Sequence, residues 1–464
     1  MKDNNKNSQE KNVILITIDC LRADHLSCYG YKRKTAPFID SLAKEGAVFK
    51  NAFANGPFTA ASFLSILASA YPLDFKNQLP LPREAVLISE ILQNKGIRTA
   101  AIHSNPYLST FYGYNRGWNY FEDFIEISPK EAQRKNIKTQ IKHIIKKYLP
   151  KKMIDWYSFL KICLGQYELP YEDAETITNH AILWLKDNKK FPFFLWLHYM
   201  DLHEPYLIHR DIKPTYSKNI SRLTQAKLIT KQEINEEEIK TMINIYDDKL
   251  RYLDECLEQL FYFLESEELM NNTVVILTSD HGQAFLEHGE FGHSAKFYDE
   301  NIRIPLILFG SEIEKQVNDK LVSQIDIAPT VLYFYNIPVP KEYRGHNLLS
   351  NHANDYIISE AAHNEKGVYI QCHKIFPSRF RTYAIRTKNW KYIYKEGENE
   401  CELYDLRKDP KEKNNISNEY KAIVNKFTKI LECHLTERKL SIKKRNEKEK
   451  IKQKIAKLKN LGKI

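Results

Sequence analysis

Apolar, β-branched residues in two runs of the chain stop at acidic or imidazole side chains. Residues Asn12 to Ile18 read NVILITI and precede Asp19, and residues 273–279 read TVVILTS and precede Asp280 and His281. Short apolar runs of this composition are typical of buried strands. We therefore predict two buried strands, each with candidate ligands at its carboxyl end.

Helix-like and strand-like segments alternate around these two strands. PFIDSLAKEG predicts a helix closed by Gly46, VLISEILQNKG a helix closed by Gly96, and RTAAIHS a further strand. This alternation predicts an α/β fold with a mainly parallel sheet and helices on both faces. Because ligands of open α/β sheets bind beyond the carboxyl ends of the strands, we expect the two polar strand ends to share one crevice.

Two atypical segments and a smaller C-terminal subdomain complete the predicted organisation. We assign residues 1–355 to the main domain, with a basic, largely helical insertion at about 122–190 and another charged helical stretch at 207–265. Isoleucines at helical spacing within 137–145 favour a packed amphipathic helix, and binding to an anionic surface stays open. Residues 356–438 predict a smaller α+β subdomain, and 439–464 a basic tail that is either helical or disordered.

The net charge of +10 is concentrated in two segments. Residues 129–152 contain nine Lys or Arg and one Glu, and residues 441–464 contain ten Lys or Arg and two Glu. Each segment therefore carries +8, and the rest of the chain is net negative. A basic cleft for nucleic acid is not expected, whereas peripheral contact of the two segments with an anionic surface is compatible with this charge.

The apolar runs and the cysteines indicate a cytoplasmic protein. The longest apolar runs, FPFFLWLHYM and RIPLILFG, fall short of the roughly 20 residues that span a bilayer. The polar start MKDNNKNSQEKN lacks the apolar core of a signal peptide. Seven scattered cysteines without C-x-x-C spacing favour free thiols in a reducing compartment.

Asp19, Asp280 and His281 are candidate ligands of a divalent cation. A single Asp after a strand is more often a cap or turn residue, but the joint position of these residues at two strand ends favours ligation. Their oxygen and nitrogen donors predict one or two metal ions. The imidazole favours Mn²⁺ or Zn²⁺, and Ca²⁺ stays possible.

Thr59 and several histidines are the remaining candidates for chemistry. Thr59 precedes the apolar run AASFLSILAS, which predicts that it caps a helix. The same position also suits a nucleophile, because a helix N-terminus can hold an anion. His198, His203, His288 and His293 lie near predicted strands, where imidazoles can protonate a leaving oxygen or pair with an anion.

Segments along most of the chain, in order, resemble the sulfatase branch of the alkaline-phosphatase superfamily. They include NVILITIDCLRADHLSCYGY, TAPFIDSLAKEGAVFKNAFA, HYMDLHEPY, ILTSDHGQAFLEHGEFGH, YDENIRIPLILFG and DIAPTVLYFYNIPVPKEYRGHNLL. The resemblance implies the α/β fold of that superfamily. It also implies metal ligation by Asp19, Asp280 and His281, Thr59 at the nucleophile position, and substrate or leaving-group contacts from His203 and His293.

Two departures from the family pattern bear on the chemistry. Many sulfatases have two adjacent Asp residues at the first metal strand, whereas Cys20 follows Asp19 here. Residues 59–63, TAASF, stand in register with the Cys-x-Pro-Ser-Arg signature of sulfatases, and only the serine, Ser62, is retained. Thr59 cannot become the formylglycine that conventional sulfatases use, and Phe63 cannot supply the arginine.

The resemblance and its departures predict a metal-dependent hydrolase of sulfate or phosphate esters. Phosphoester or phosphodiester chemistry is favoured, because a threonine can attack phosphorus to give a phosphothreonine that water then cleaves. Phosphoethanolamine and lipoteichoic-acid transferases of the same superfamily use a threonine in this way. The expected partner is an anionic ester, and linkage of this ester to a glycan or lipid stays open. A phospho-group transferase and a non-catalytic anion-binding protein stay open as alternatives.

Overall fold

The computed structural model describes residues 11–75, 79–125, 159–164, 166–167, 169–208, 212–218, 220–230, 235–310, 312–363 and 380–460. The strands are β1 (Asn12–Ile18), β2 (Ala47–Phe53), β3 (Arg98–His103), β4 (Tyr120–Glu122), β5 (Phe193–Tyr199), β6 (Thr273–Ser279), β7 (Ala284–Phe285), β8 (Phe291–Gly292), β9 (Arg303–Ile304), β10 (Leu306–Gly310), β11 (Gln316–Ser323), β12 (Ile357–His363), β13 (Phe380–Arg386), β14 (Trp390–Lys395) and β15 (Glu400–Asp405). The α-helices are α1 (Pro37–Glu45), α2 (Thr59–Ala68), α3 (Ile88–Asn94), α4 (Ala174–Asn188), α5 (Arg222–Thr230), α6 (Glu236–Ser266), α7 (Asp299–Ile302), α8 (Ile327–Phe334) and α9 (Lys421–Asn460).

A large, mainly parallel sheet forms the centre of the molecule, as the sequence predicts. Its strand order is β11-β2-β10-β6-β1-β5-β3-β4, with β9 pairing with β2. Within the described part, β10 and β9 run antiparallel to their neighbours and the other pairs are parallel. Ile18 pairs with Tyr199 on one side and Ser279 on the other. The residues that follow β1, β5 and β6 therefore emerge together at one edge of the sheet.

Helices cover both faces of this sheet, which explains why β1 is apolar at successive positions. Val13 and Leu15 pack into a core shared with α2, α3 and α8. Ile14, Ile16 and Ile18 pack into a second core shared with α1, α4 and α6. All five side chains are buried, and each contributes about 1.5–3 kcal/mol relative to exposure. Burial on both faces therefore holds the carboxyl end of β1 in place.

The predicted insertion at 122–190 is only partly described. The basic amphipathic segment at 137–149 lies outside the described residues. Helix α4, which the insertion was predicted to include, packs Ile177, Ala181 and Leu185 into the core on one face of the sheet. The charged stretch at 207–265 contains α5 and most of α6. The domain boundaries as such stay a prediction.

A four-stranded antiparallel sheet, β12 to β15, forms the small C-terminal subdomain that the sequence predicts. The first half of α9 covers it, with Phe427 and Leu431 packed against Tyr383 and Tyr392. The chain after Arg438, predicted to be either helical or disordered, continues α9 as far as Asn460.

Buried ion pairs join this subdomain to the segment that follows β8. Asp299 lies 3.2 Å from Arg386 Nη2 and 2.7 Å from Lys391 Nζ, and Lys391 also pairs with Glu412 at 2.9 Å. His288 stacks on Tyr298 with ring centroids 3.6 Å apart. The described helices include none that is long and apolar enough to cross a bilayer.

Candidate active site

The carboxyl ends of β1 and β6 bring Asp19 and Asp280 together in the protein interior. Both side chains are fully buried. The hydroxyl of Ser279 accepts a hydrogen bond from the backbone N–H of Leu21 at 3.0 Å and lies 2.6 Å from the carbonyl oxygen of Ile18. These contacts fix the two strand ends relative to each other, so the two carboxylates have a defined separation.

His281 completes a group of three potential ligands with the two carboxylates. Its Nε2 lies 3.4 Å from Asp280 Oδ2 and 3.9 Å from Asp19 Oδ1. Its Nδ1 lies 2.8 Å from the carbonyl oxygen of Gly282, which can only accept. The proton of the neutral ring therefore resides on Nδ1, and the lone pair of Nε2 points toward the carboxylates, as in metal-binding histidines.

The two buried carboxylates, Asp19 and Asp280, have too few hydrogen-bond donors around them, as expected at a cation site. Asp280 Oδ1 accepts hydrogen bonds from the backbone N–H groups of Cys20 and His281, whereas its buried Oδ2 has no hydrogen-bond partner. Burial and then the charge of Asp19 raise the pKa of Asp280 to about 8. Burial alone would also raise the pKa of Asp19, but imidazoles, above all that of His203, hold it well below its usual range. An oxygen-rich set with one imidazole and an unpaired oxygen fits a divalent cation.

Cys20 lies beside these ligands. Its Sγ is 2.9 Å from Asp19 Oδ1, 4.0 Å from His281 Nδ1 and 3.9 Å from His293 Nδ1. Burial, followed by the charges of Asp19 and Asp280, raises the pKa of the thiol well above its usual value. In the protein without an ion, the S–H group therefore donates to Asp19.

Thr59 is the first residue of α2, not its cap, so the predicted capping role is wrong. Phe58 occupies the extended N-cap position, and its side chain is packed in the core. The Thr59 hydroxyl faces the ligand group instead, with Oγ1 3.4 Å from His281 Nε2. Local propensity favours Thr as a cap, but burial of Phe58 sets where the helix begins.

The rest of the TAASF segment is structural. Ser62 donates a hydrogen bond to the carbonyl oxygen of Gly56 at 2.9 Å. Phe63 is fully buried, with its ring centroid 5.1 Å from that of Trp196 and 4.9 Å from that of His198. An apolar contact thus replaces the cationic side chain that the sulfatase signature has at this position.

His203 and His293 lie on the open side of the ligand group. Their ring centroids are 5.1 Å apart, and that of His293 is 4.6 Å from that of His281. His203 Nδ1 donates to the carbonyl oxygen of Glu204 at 2.7 Å, which leaves Nε2 available for proton transfer. Burial, together with His281 and His203, lowers the pKa of His293 well below its usual value.

All six side chains predicted from the sequence therefore belong to one site. A cavity of about 480 Å³ opens on it, lined among others by Thr59, Asn105, Tyr107, Tyr171, His203 and His293. His288, one of the further histidines considered, lies elsewhere. Its Nδ1 is 2.5 Å from Glu300 Oε1, and its Nε2 contacts the carbonyl oxygen of Glu412, so it has a structural role.

Several supporting residues have no clear signal in the sequence. Asn105 Nδ2 donates to Asp19 Oδ2 at 3.2 Å, and its place just after β3 is the one hint that sequence provides. His198, one of the histidines that the sequence does suggest, has its Nε2 3.4 Å from the same oxygen. Behind His203, Lys249 Nζ donates to the hydroxyl of Tyr171 at 2.9 Å. Lys249 lies in a long charged helix, where a lysine is normally predicted to be exposed.

Comparison with known families identifies relatives of the whole chain. The family profile described as Sulfatase matches residues 11–337, and the profile described as N-sulphoglucosamine sulphohydrolase, C-terminal, matches residues 287–439. Arylsulfatase K of Mus musculus is 25% identical over 454 residues, covering 90% of this chain and 78% of that protein. N-acetylgalactosamine-6-O-sulfatase of Bacteroides thetaiotaomicron is 24% identical, covering 93% and 94%.

Solved structures share the fold at low sequence identity. The phosphonate monoester hydrolase of Agrobacterium radiobacter has a TM-score of 0.69 and 17% identity, covering 92% of this chain and 96% of that chain. A structure solved in complex with its substrate D-glucosamine-2-N,6-O-disulfate has a TM-score of 0.66 and 18% identity, covering 93% and 98%. Both structures therefore share the overall fold of this chain.

Proposed function

This chain belongs to the sulfatase family, and from that premise we propose that it is a metal-dependent hydrolase of phosphate esters, phosphodiesters in particular. Ester hydrolysis of the sulfatase type is what the family match supports. The preference for phosphorus rests on one observation: the hydroxyl of Thr59 faces the ligand group, 3.4 Å from His281 Nε2, at the position of the family's modified cysteine.

The chemistry of the nucleophile favours phosphorus over sulfur. Formylglycine hydrate releases sulfate by elimination from a hemiacetal, and a threonine ether oxygen has no such route. A phosphothreonine, in contrast, is cleaved by attack of water at phosphorus. Among the relatives, the phosphonate monoester hydrolase shows that this fold also accommodates phosphorus esters.

In the first step, Thr59 Oγ1 attacks the phosphorus. A bond forms between Oγ1 and phosphorus, the bond to the leaving alkoxide breaks, and the hydroxyl proton passes to solvent. A divalent ion held by Asp19, Asp280 and His281 would polarise the ester and favour loss of that proton. The positive end of the α2 dipole faces the same place and stabilises the anionic group.

His203 is the better proton donor to the leaving alcohol. Its Nδ1–H is held by the carbonyl of Glu204, so the transferable proton resides on Nε2. His293 has a lowered pKa and is therefore neutral near pH 7, where it acts as a hydrogen-bond donor to the substrate. In the second step, water attacks the phosphothreonine and the bond between phosphorus and Oγ1 breaks. His203 takes up a proton from that water, and Thr59 Oγ1 regains its proton from solvent.

The proposed setting is the cytoplasm, with an anionic ester linked to a glycan or lipid as substrate. Six cysteines in the described part of the chain are free, which supports a reducing compartment. The basic segments at 129–152 and 441–464 would then keep the enzyme near an anionic surface. Cell fractionation with an antibody tests the location.

A chromogenic panel with Mn²⁺ or Zn²⁺ tests the activity. It contains a sulfate monoester, a phosphate monoester, a phosphate diester and a phosphonate monoester. We expect phosphodiester turnover by the wild type, at least about 100-fold less by Thr59→Val, and partial activity in Thr59→Ser. Mass spectrometry of acid-quenched enzyme should find phosphate on the peptide that contains Thr59.

Other outcomes identify the alternatives. Sulfate release that depends on Thr59 would show that the preference for phosphorus is wrong. Product that forms only with an added acceptor alcohol would identify a transferase. Metal binding without turnover of any ester in the panel would favour an anion-binding protein.

A further inference from the structure

Cys20 adopts a conformation that side chains rarely take. Its φ angle is +62°, in the left-handed region that costs a non-glycine residue of order 1 kcal/mol. The surroundings enforce this conformation, because its N–H donates to Asp280 Oδ1 and its carbonyl accepts from the hydroxyl of Tyr246 at 2.9 Å. The side chain is fully buried.

Cys20 belongs to one of two overlapping groups of potential ligands. Asp19, Asp280 and His281 form one group, and Cys20, His281 and His293 form the other, each with ligand atoms within 4.8 Å of one another. His281 is common to both. Sγ lies 4.0 Å from Nδ1 of His281, whereas the carboxylates face Nε2 of the same ring. The 2.9 Å contact between Sγ and Asp19 Oδ1 is what places the sulfur beside the carboxylates.

We propose that Cys20 binds the catalytic ion through Sγ, as a thiolate, together with Asp19, Asp280 and His281. This inference rests on the metal dependence in the proposed function and specifies the ion. A sulfur, nitrogen and two oxygens form a borderline-soft set, which suits zinc better than manganese or calcium. Binding releases the thiol proton to solvent, and no oxidation or reduction takes place.

The distances are compatible with one tetrahedral ion. Two ligand atoms that lie about 2.0 to 2.3 Å from an ion at a tetrahedral angle are roughly 3.3 to 3.6 Å apart. His281 Nε2 lies 3.4 Å from Asp280 Oδ2 and 3.9 Å from Asp19 Oδ1, and Cys20 Sγ lies 2.9 Å from that same Asp19 oxygen. The first distance lies in this range, and shifts of about half an ångström would bring the other two into it.

A second observation points to an ion independently of the cysteine. Asp280 Oδ2 is fully buried, has no hydrogen-bond partner, and is aimed at the same space. Leaving a buried carboxylate oxygen unpaired costs about 1–3 kcal/mol. Cys256 provides the contrast, because it is also buried but is surrounded by apolar side chains of α6 and its neighbours.

X-ray absorption at the zinc edge tests the proposal on the full-length protein loaded with one equivalent of Zn²⁺. We expect one sulfur scatterer at about 2.3 Å in the wild type. The sulfur should be absent from Cys20→Ser and present in Cys256→Ser, the matched buried control. A wild-type spectrum with only nitrogen and oxygen scatterers would overturn the inference, and this holds even if Cys20→Ser does not fold.

Metal selectivity provides a second readout. Calorimetric titration of Cys20→Asp should show the ratio of Zn²⁺ to Ca²⁺ affinity reduced by at least about 100-fold, because a hard ligand replaces a soft one. An unchanged ratio would contradict a role for the sulfur. Zinc-supported phosphodiester turnover without a sulfur ligand would refute this inference alone. Absence of any bound metal would refute both it and the metal dependence of the proposed function.

Discussion

At the scale of single residues, the candidate site buries two carboxylates, and their burial opposes their ionisation. Two carboxylates that face each other in the interior destabilise the protein until a cation joins them. The unpaired Oδ2 of Asp280 and its raised pKa are two signs of the same cost. The proposed ion would offset this cost.

The substitution Asp280→Asn separates these two effects. Asn retains an oxygen for the two backbone N–H groups but removes the charge. We expect turnover to fall at least about 100-fold, while the melting temperature of the metal-free protein stays equal or rises. Enzyme assays and calorimetry with chelator measure both. Retained turnover would rule out this site.

The sequence predicts the candidate ligands at the strand ends, but it does not predict residues such as Lys249 that support the site through other residues. Asp19, Asp280 and His281 are predictable because one apolar run ends just before Asp19 and another just before Asp280. The carboxyl ends of parallel strands share one edge of the sheet. Thr59 is found by its register with the sulfatase signature, but the capping role predicted for it is wrong, because the packing of Phe58 decides the helix start. The burial and the supporting role of Lys249 cannot be predicted from the sequence, because they depend on tertiary contacts of one lysine among many charged residues in the helix.

At the scale of secondary-structure elements, α6 supports the turn that carries His203. The side chain of Lys249 lies 3.5 Å from the carbonyl oxygen of His203 and 3.4 Å from that of Pro205. The hydroxyl of Tyr171 also donates to His203 O, at 3.0 Å. The helix begins at a capping box formed by Asn235 and Glu238.

We therefore expect Lys249→Met to reduce kcat by roughly 10- to 100-fold with little change in melting temperature, because the turn with His203 loses its support. The pH profile of kcat should shift as well, which a purely structural role would not cause. Lys240→Met, an exposed position on the same helix, is the control. Equal kcat values for the two variants would contradict a positioning role for Lys249.

The segment between β6 and α7 has a pH-dependent contact. Burial alone would lower the pKa of His288, but its ion pair with Glu300 raises it, against a smaller opposing effect of Lys413. A raised pKa means that the stabilisation is complete below the unfolded-state pKa of about 6.5 and is lost as pH rises through the folded-state pKa.

The variant His288→Gln tests the predicted direction of this pH dependence. At pH 5.5 the free energy of unfolding of the wild type should exceed that of the variant by a few tenths to about 1 kcal/mol. This difference should shrink as pH rises above about 6.5. Urea titrations at several pH values measure it. A difference that grows with pH would mean that the imidazole is bound as the neutral form.

At the scale of the whole molecule, the C-terminal subdomain holds the loop that presents His293. His288 and Asp299 flank this histidine in sequence, and both contact the subdomain. Although burial alone would raise the pKa of Asp299, Arg386 and Lys391 hold it well below its usual range. The family resemblance predicts that the subdomain exists, but the ion pairs that connect it depend on side-chain placement.

Removing the central cation of this network should be costly. Lys391→Met leaves Glu412 and Asp299 buried without their shared partner, so we expect a loss of about 3–5 kcal/mol in the free energy of unfolding. Chemical denaturation measures the loss. Lys388→Met, at an exposed position before the same strand, should change stability by less than about 0.5 kcal/mol. Equal stabilities would show that water screens the network.

The connection between Asp299 and the C-terminal subdomain also sets an order of events during translation. Asp19 and Thr59 emerge early from the ribosome, whereas Glu412, which contacts both Lys391 and the His288 ring, follows about 400 residues after Asp19. At roughly 5–20 residues per second, that delay is about 20 to 80 s. Throughout this time the nascent chain contains Thr59 but lacks the contacts that support the loop with His293, so we expect no turnover before Glu412 has been synthesised.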